Sequence, residues 1–117
     1  MRKMCVTALL GMALWSTPSL AIQSNQPSTV IASYYDYGSR TASGERFRPD
    51  GLTAAHRTMK FGTMLKVTNQ TNGRSVVVRI NDRGPFVKSH AIDLSRGAAR
   101  SIGMLQAGVA RVTLELV

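Results

Sequence analysis

Apolar and polar residues alternate in short runs along most of this chain, the period-two pattern of half-buried strands. The clearest run is Met64-Leu65-Lys66-Val67-Thr68-Asn69, in which Leu65 and Val67 share one face. Thr71-Asn72-Gly73 follows as an Asn-Gly turn signal, and Ser75 to Ile80 returns with Val76, Val78 and Ile80 on the core side, so the two runs predict a hairpin. Val30 to Tyr35 has strand composition and stops at Asp36-Tyr37-Gly38. Leu52 to His56 is a short apolar piece, Phe61-Gly62-Thr63 a turn or bulge, and Ala91-Ile92-Asp93-Leu94 another short strand. Ser95 is a suitable N-cap for a short helix over Arg96 to Ile102, and Gly103 suits its end. Such a helix has about two turns and needs packing to hold it. After Gly108, Val112, Leu114 and Leu116 alternate with Arg111, Thr113 and Glu115 in a last strand. Five or six short strands and one short helix predict a mainly β chain closed into a small barrel.

Two stretches lack this pattern. Residues 1–21 have Arg2 and Lys3, then an apolar run from Val6 to Trp15 too short to span a bilayer, then Pro18-Ser19-Leu20-Ala21. They predict an export signal cleaved after Ala21, then a linker over 22–29 and one folded domain over 30–117. The only cysteine, Cys5, falls inside the signal, too early for lipid attachment, so the exported domain is expected to have no disulfide and no stable membrane anchor. A bacterial periplasm suits such a domain. The other stretch, Gly38 to Gly51, is rich in Gly, Ser, Thr and Arg and reads as a long loop of the kind that often carries function.

Charge narrows the partners. The chain of 117 residues has a net charge of +9, and without Arg2 and Lys3 there remain 13 basic against 6 acidic residues, a net +7. Such a balance attracts polyanions. For an exported domain these are wall polymers, acidic lipids or anionic glycans. Export and the lack of any basic run beyond two residues argue against nucleic acid. Two histidines, His56 and His90, have no metal-site spacing, and no Gly-x-Ser-x-Gly or phosphate-cradling glycine pattern occurs, so neither metal nor cofactor is expected.

The few carboxylates carry the remaining chemistry. Asp50 precedes Gly51 and suits a turn, Glu115 lies on the polar face of the last strand, and Asp93 sits mid-strand with an expected structural role. Glu45 and Asp82 are left, each on a stretch bounded by glycine. Asp82 stands where the strand Ser75 to Ile80 runs into Asn81-Asp82-Arg83-Gly84-Pro85-Phe86. Turn building and catalysis both fit it. Carboxyl pairs across a groove are what glycosidic cleavage usually uses, with one acid kept protonated by its surroundings. Arg79 and Arg83 flank Asp82 and either hold a substrate or pair with the acid.

The order of Ala32-Ser33-Tyr34-Tyr35, Thr41 to Phe47, Thr53-Ala54-Ala55-His56, Phe61-Gly62-Thr63, Asn72-Gly73-Arg74-Ser75, Arg79 to Phe86 and Ile92-Asp93-Leu94-Ser95 resembles the RlpA-like (rare lipoprotein A) family over about 90 residues. The resemblance implies a six-stranded double-psi β-barrel. It also implies lytic transglycosylase action on peptidoglycan glycan strands, leaving 1,6-anhydro-muramyl ends. By the same resemblance Asp82 is the acid/base, Glu45 the second functional carboxylate and His56 the groove histidine, while Tyr35 and Asn81 line the groove. A monomer is expected. The contrasting expectations are a non-catalytic, expansin-like glycan-binding barrel, or a partner of other wall enzymes.

Overall fold

A computed structural model describes residues 27–117; the expected signal and most of the linker lie outside them. Six strands form one closed barrel: β1 (Ser28–Tyr35), β2 (Thr53–His56), β3 (Met64–Asn69), β4 (Ser75–Asp82), β5 (Ile92–Ser95) and β6 (Ala110–Leu116), with the helix α1 (Arg96–Ser101) between β5 and β6. Around the barrel the order is β1-β5-β2-β4-β3-β6. The β1–β5 and β2–β4 pairs are parallel and the others antiparallel. Closure leaves no free sheet edge.

Period-two alternation decides which side chains go inside. Leu65 and Val67 of β3, Val78 and Ile80 of β4, Ile92 and Leu94 of β5, and Val112 and Leu114 of β6 are all buried. Leu116, expected in the same row, is exposed: it still pairs with Leu65 of β3, but the β1 ladder on its other side ends at Ser28 opposite Leu114. The expected hairpin is present with Leu65 opposite Val78 and Val67 opposite Val76. Its connection is longer than a tight two-residue turn. Asn69 accepts from the Gly73 amide at 2.7 Å, and Gly73 has φ +77°. β1 begins at Ser28, two residues before the expected strand start at Val30.

Ser95 caps α1 as its sequence position predicts, accepting from the Ala98 amide at 3.2 Å. Its hydroxyl also donates to the Gly51 carbonyl at 2.5 Å, which ties the helix start to the end of the long loop. Gly97 approaches that loop so closely that an added Cβ would overlap the Asp50 carbonyl oxygen. Ala98, Ala99 and Ile102 then plug the barrel from this side.

Candidate active site in the barrel cleft

β4 ends at Asp82, and the strand end aims this carboxyl into a cleft of about 530 Å³. Three donors meet its two oxygens: the Tyr35 hydroxyl at 2.9 Å on Oδ2, and the amides of Ala42 at 2.8 Å and Arg83 at 2.9 Å on Oδ1. Tyr35, at the end of β1, is kept a phenol because burial and its bond to Asp82 push its pKa well above the usual value. Its ring stacks on Phe47, with centroids 4.6 Å apart.

The flanking arginines both turn away from Asp82. The Arg83 guanidinium donates to the carbonyls of His56 at 3.1 Å and Met59 at 2.8 Å and lies 3.9 Å over the Phe61 ring. Arg79 makes a two-pronged pair with Glu45, at 2.8 and 2.9 Å. Asn81 donates its amide to the same carboxylate at 2.9 Å. The Arg79 and Asn81 hydrogen bonds lower the Glu45 pKa to about 2.

Several sequence expectations change here. Glu45 is not among the residues lining the cleft beside Asp82, and its carboxylate is held in the ion pair with Arg79. Its contribution is to anchor the Thr41–Phe47 segment. Within it the Thr41 amide bonds the Glu45 carbonyl at 2.9 Å and the Ser43 amide bonds the Asn81 carbonyl at 3.2 Å. Gly44, at φ +94°, lets the segment fold back and bring the Ala42 amide onto Asp82. Asn81 is 1% exposed, so it braces Glu45 instead of touching a ligand in the cleft. Arg79 is likewise committed to Glu45 and lies outside the cleft lining.

His56 is also absent from the cleft lining. Its Nδ1 accepts the amides of Thr58 at 3.1 Å and Met59 at 3.0 Å, which closes the turn after β2. Burial first, then Arg57 and Arg83, lower its pKa and favour the neutral ring these bonds require. The same turn presents the His56 and Met59 carbonyls that hold the Arg83 guanidinium.

Sequence reasoning gave one cleft residue a structural role only. Asp93 of β5 lines the cleft and accepts the Ser33 hydroxyl at 3.0 Å. The signal was present, since Ile92 and Leu94 point into the core and the residue between them must point away. Phe86 and Tyr37, 85% and 75% exposed, also belong to the lining.

The lytic transglycolase family model, a double-psi β-barrel domain, matches residues 27–114. The chain is 61% identical over 90 residues to a probable endolytic peptidoglycan transglycosylase RlpA of Synechocystis, covering 74% of this chain and 28% of that protein. It is 51% identical over 90 residues to the endolytic peptidoglycan transglycosylase RlpA of Campylobacter jejuni, covering 74% and 33%. The chain thus spans about a third or less of these two relatives. In fold it is similar to the Streptomyces papain inhibitor, with a TM-score of 0.67, 24% identity and coverage of 79% of this chain and 94% of that one. A Clavibacter michiganensis expansin variant in complex with cellohexaose has a TM-score of 0.64 at 21% identity, covering 79% and 50%. A closed six-stranded barrel whose parallel pairs bring β1, β4 and β5 to one cleft, matched by the family model along nearly all its described length, belongs to the lytic transglycolase family of double-psi β-barrels.

Proposed function

We propose that this domain cleaves peptidoglycan glycan strands as an endolytic lytic transglycosylase. The observation that carries the reading is Asp82. It stands in an open cleft of ligand size, oriented by three donors and free of any ion pair with its neighbouring arginines. In the simplest cycle Asp82 gives a proton to the glycosidic oxygen as the C1–O bond breaks. It then takes the proton of the sugar's own C6 hydroxyl, which closes on C1 to leave a 1,6-anhydro end. Tyr35 holds the carboxyl in place, while Phe86 and Tyr37 offer rings against which sugar faces stack. The basic balance of the chain draws it to an anionic wall. Arg2-Lys3, the apolar run to Trp15 and Ala21 support export to a periplasm without a lasting anchor.

The test uses purified protein with glycan strands, with and without stem peptides, and mass spectrometry of the products. Anhydro-muramyl ends from wild type that disappear in Asp82→Asn, with glycan binding retained, are expected. Binding without any such product would replace this reading by an expansin-like glycan-binding role.

A further inference from the structure

The cleft presents the carboxyls of Asp82 and Asp93, so an anionic glycan that enters it needs counter-charge nearby. Arginines Arg40 and Arg83 line the cleft too. Arg83 directs its guanidinium to the His56 and Met59 carbonyls and over the Phe61 ring. Arg40 differs. Among the described residues its side chain makes a single hydrogen bond, from Nη1 to the Gly44 carbonyl at 3.0 Å. That bond steadies the guanidinium and leaves most of its N–H donors unused.

A second arginine stands beside it. Arg40 and Arg46 oppose each other in an antiparallel bridge at the neck of the Thr41–Phe47 segment. The bonds that frame the bridge run from the Phe47 amide to the Ser39 carbonyl and from the Thr41 amide to the Glu45 carbonyl, both at 2.9 Å. Arg40 and Arg46 are therefore a non-hydrogen-bonded pair, the kind whose facing side chains come closest. Their chain neighbours Thr41 and Phe47 are buried, which turns the two arginines outward on one face. Like charges placed in this way repel. The ion pairs among the described residues are Arg79–Glu45, Arg96–Asp50 and Arg100–Asp50, so no described carboxylate neutralises either arginine. A bound anion would complete this pair.

We infer that Arg40 and Arg46 form a carboxylate-binding subsite at the rim of the cleft, which reads an acid group on the muramyl units of the strand. This deepens the reading proposed above and rests on its placing the glycan in this cleft. One guanidinium grips a carboxylate through two parallel N–H···O bonds, and a second alongside takes the remaining lone pairs. Such a carboxylate has two sources: the lactyl group of a muramyl unit without a stem peptide, or the acid groups of the stem peptide itself. A neutral polysaccharide has neither, so the pair also separates wall strands from neutral glycans. The segment closed by this bridge carries the Ala42 amide that bonds Asp82 at 2.8 Å, so the anion would sit on the element that orients the acid.

The experiment measures binding by titration calorimetry in an Asp82→Asn background, where the strands stay whole. The ligands are bare glycan strands, the same strands with the lactyl carboxyl converted to a neutral amide, and strands that carry stem peptides. Arg40→Gln and Arg46→Gln are each expected to raise the Kd of a carboxylate-bearing strand roughly three- to tenfold and to leave the amidated strand within about twofold. Loss on bare strands assigns the lactyl group, and loss on peptide-bearing strands assigns the peptide. Arg111→Gln removes an equal charge from the outer face of β6 and should leave all three ligands within about twofold. Arg46→Gln relieves a repulsion, so its melting temperature should not fall below that of the background. An equal loss on the amidated strand, an equal loss from Arg111→Gln, or arginine variants that bind every strand within about twofold of the background overturns the inference. That last result, with anhydro products still made by wild type, removes the subsite alone. Wild type that makes no anhydro product removes the transglycosylase reading, while the same carboxylate selectivity in the binding series still upholds the subsite.

Discussion

Glu45→Gln separates an anchoring carboxylate from a chemical one. The substitution keeps the side-chain shape and removes the charge that Arg79 grips at 2.8 Å. Glu45 has a pKa of about 2, against an ordinary 4.5. For a fully desolvated pair a shift of that size would correspond to about 3 kcal/mol. The two side chains are 42% and 39% exposed, so water and salt screen most of this, and about 1 kcal/mol is the expected stabilisation. The sign follows from the depressed pKa. The stabilisation is complete above the unfolded value of 4.5 and is lost as pH falls through about 2. Urea unfolding of wild type, Glu45→Gln, Arg79→Gln and the double variant gives the coupling directly. We expect about 1 kcal/mol of coupling at neutral pH, vanishing below about pH 2. Turnover should also fall in Glu45→Gln, because the Thr41–Phe47 segment that carries the Ala42 amide to Asp82 loosens. Zero coupling at neutral pH, or coupling that persists in strong acid, would refute the ion-pair account.

Three further outcomes are expected. Gly97→Ala drives a Cβ into the Asp50 backbone, so it should cost about 1–3 kcal/mol in urea unfolding and loosen the loop before β2. His56→Ala deletes the acceptor for two amides and should destabilise by about 1–2 kcal/mol at neutral pH. Because the folded His56 pKa lies below 6.5, wild type loses this stabilisation as pH falls below that value, and the gap between the two proteins should narrow in acid melting scans. Phe86→Ala removes an 85% exposed ring, so melting should stay within about 0.5 kcal/mol of wild type while KM for glycan strands rises roughly two- to tenfold.

The strands were legible because their side chains obey a local rule. In Met64–Asn69 and Ser75–Asp82 alternate residues face opposite sides, so the pattern of Leu65, Val67, Val78 and Ile80 already named the core. The capping of α1 by Ser95 was legible for the same reason, since a hydroxyl bonds amides three residues ahead. Asp82 at a strand mouth was also readable, together with the family it belongs to. The fate of its neighbours was not. Arg79 and Arg83 stand three and one residues from Asp82, yet one reaches across to Glu45 and the other to the turn after His56. Two adjacent tyrosines also part: Tyr34 bonds the Leu105 carbonyl, and Tyr35 bonds Asp82.

What the sequence alone determined is the set of elements, the core face of each, and the acid at the end of β4. What only the tertiary structure decided is which acids share a cleft. Glu45 and Asp82 looked like partners because both stood beside glycines, but an ion pair draws Glu45 to Arg79. Asp93 looked structural because it lay within a strand, but barrel closure in the order β5-β2-β4 sets it across Ala55 from Asp82. Alternation specifies that a residue faces away from the core; the pairing of non-consecutive strands specifies what it faces instead.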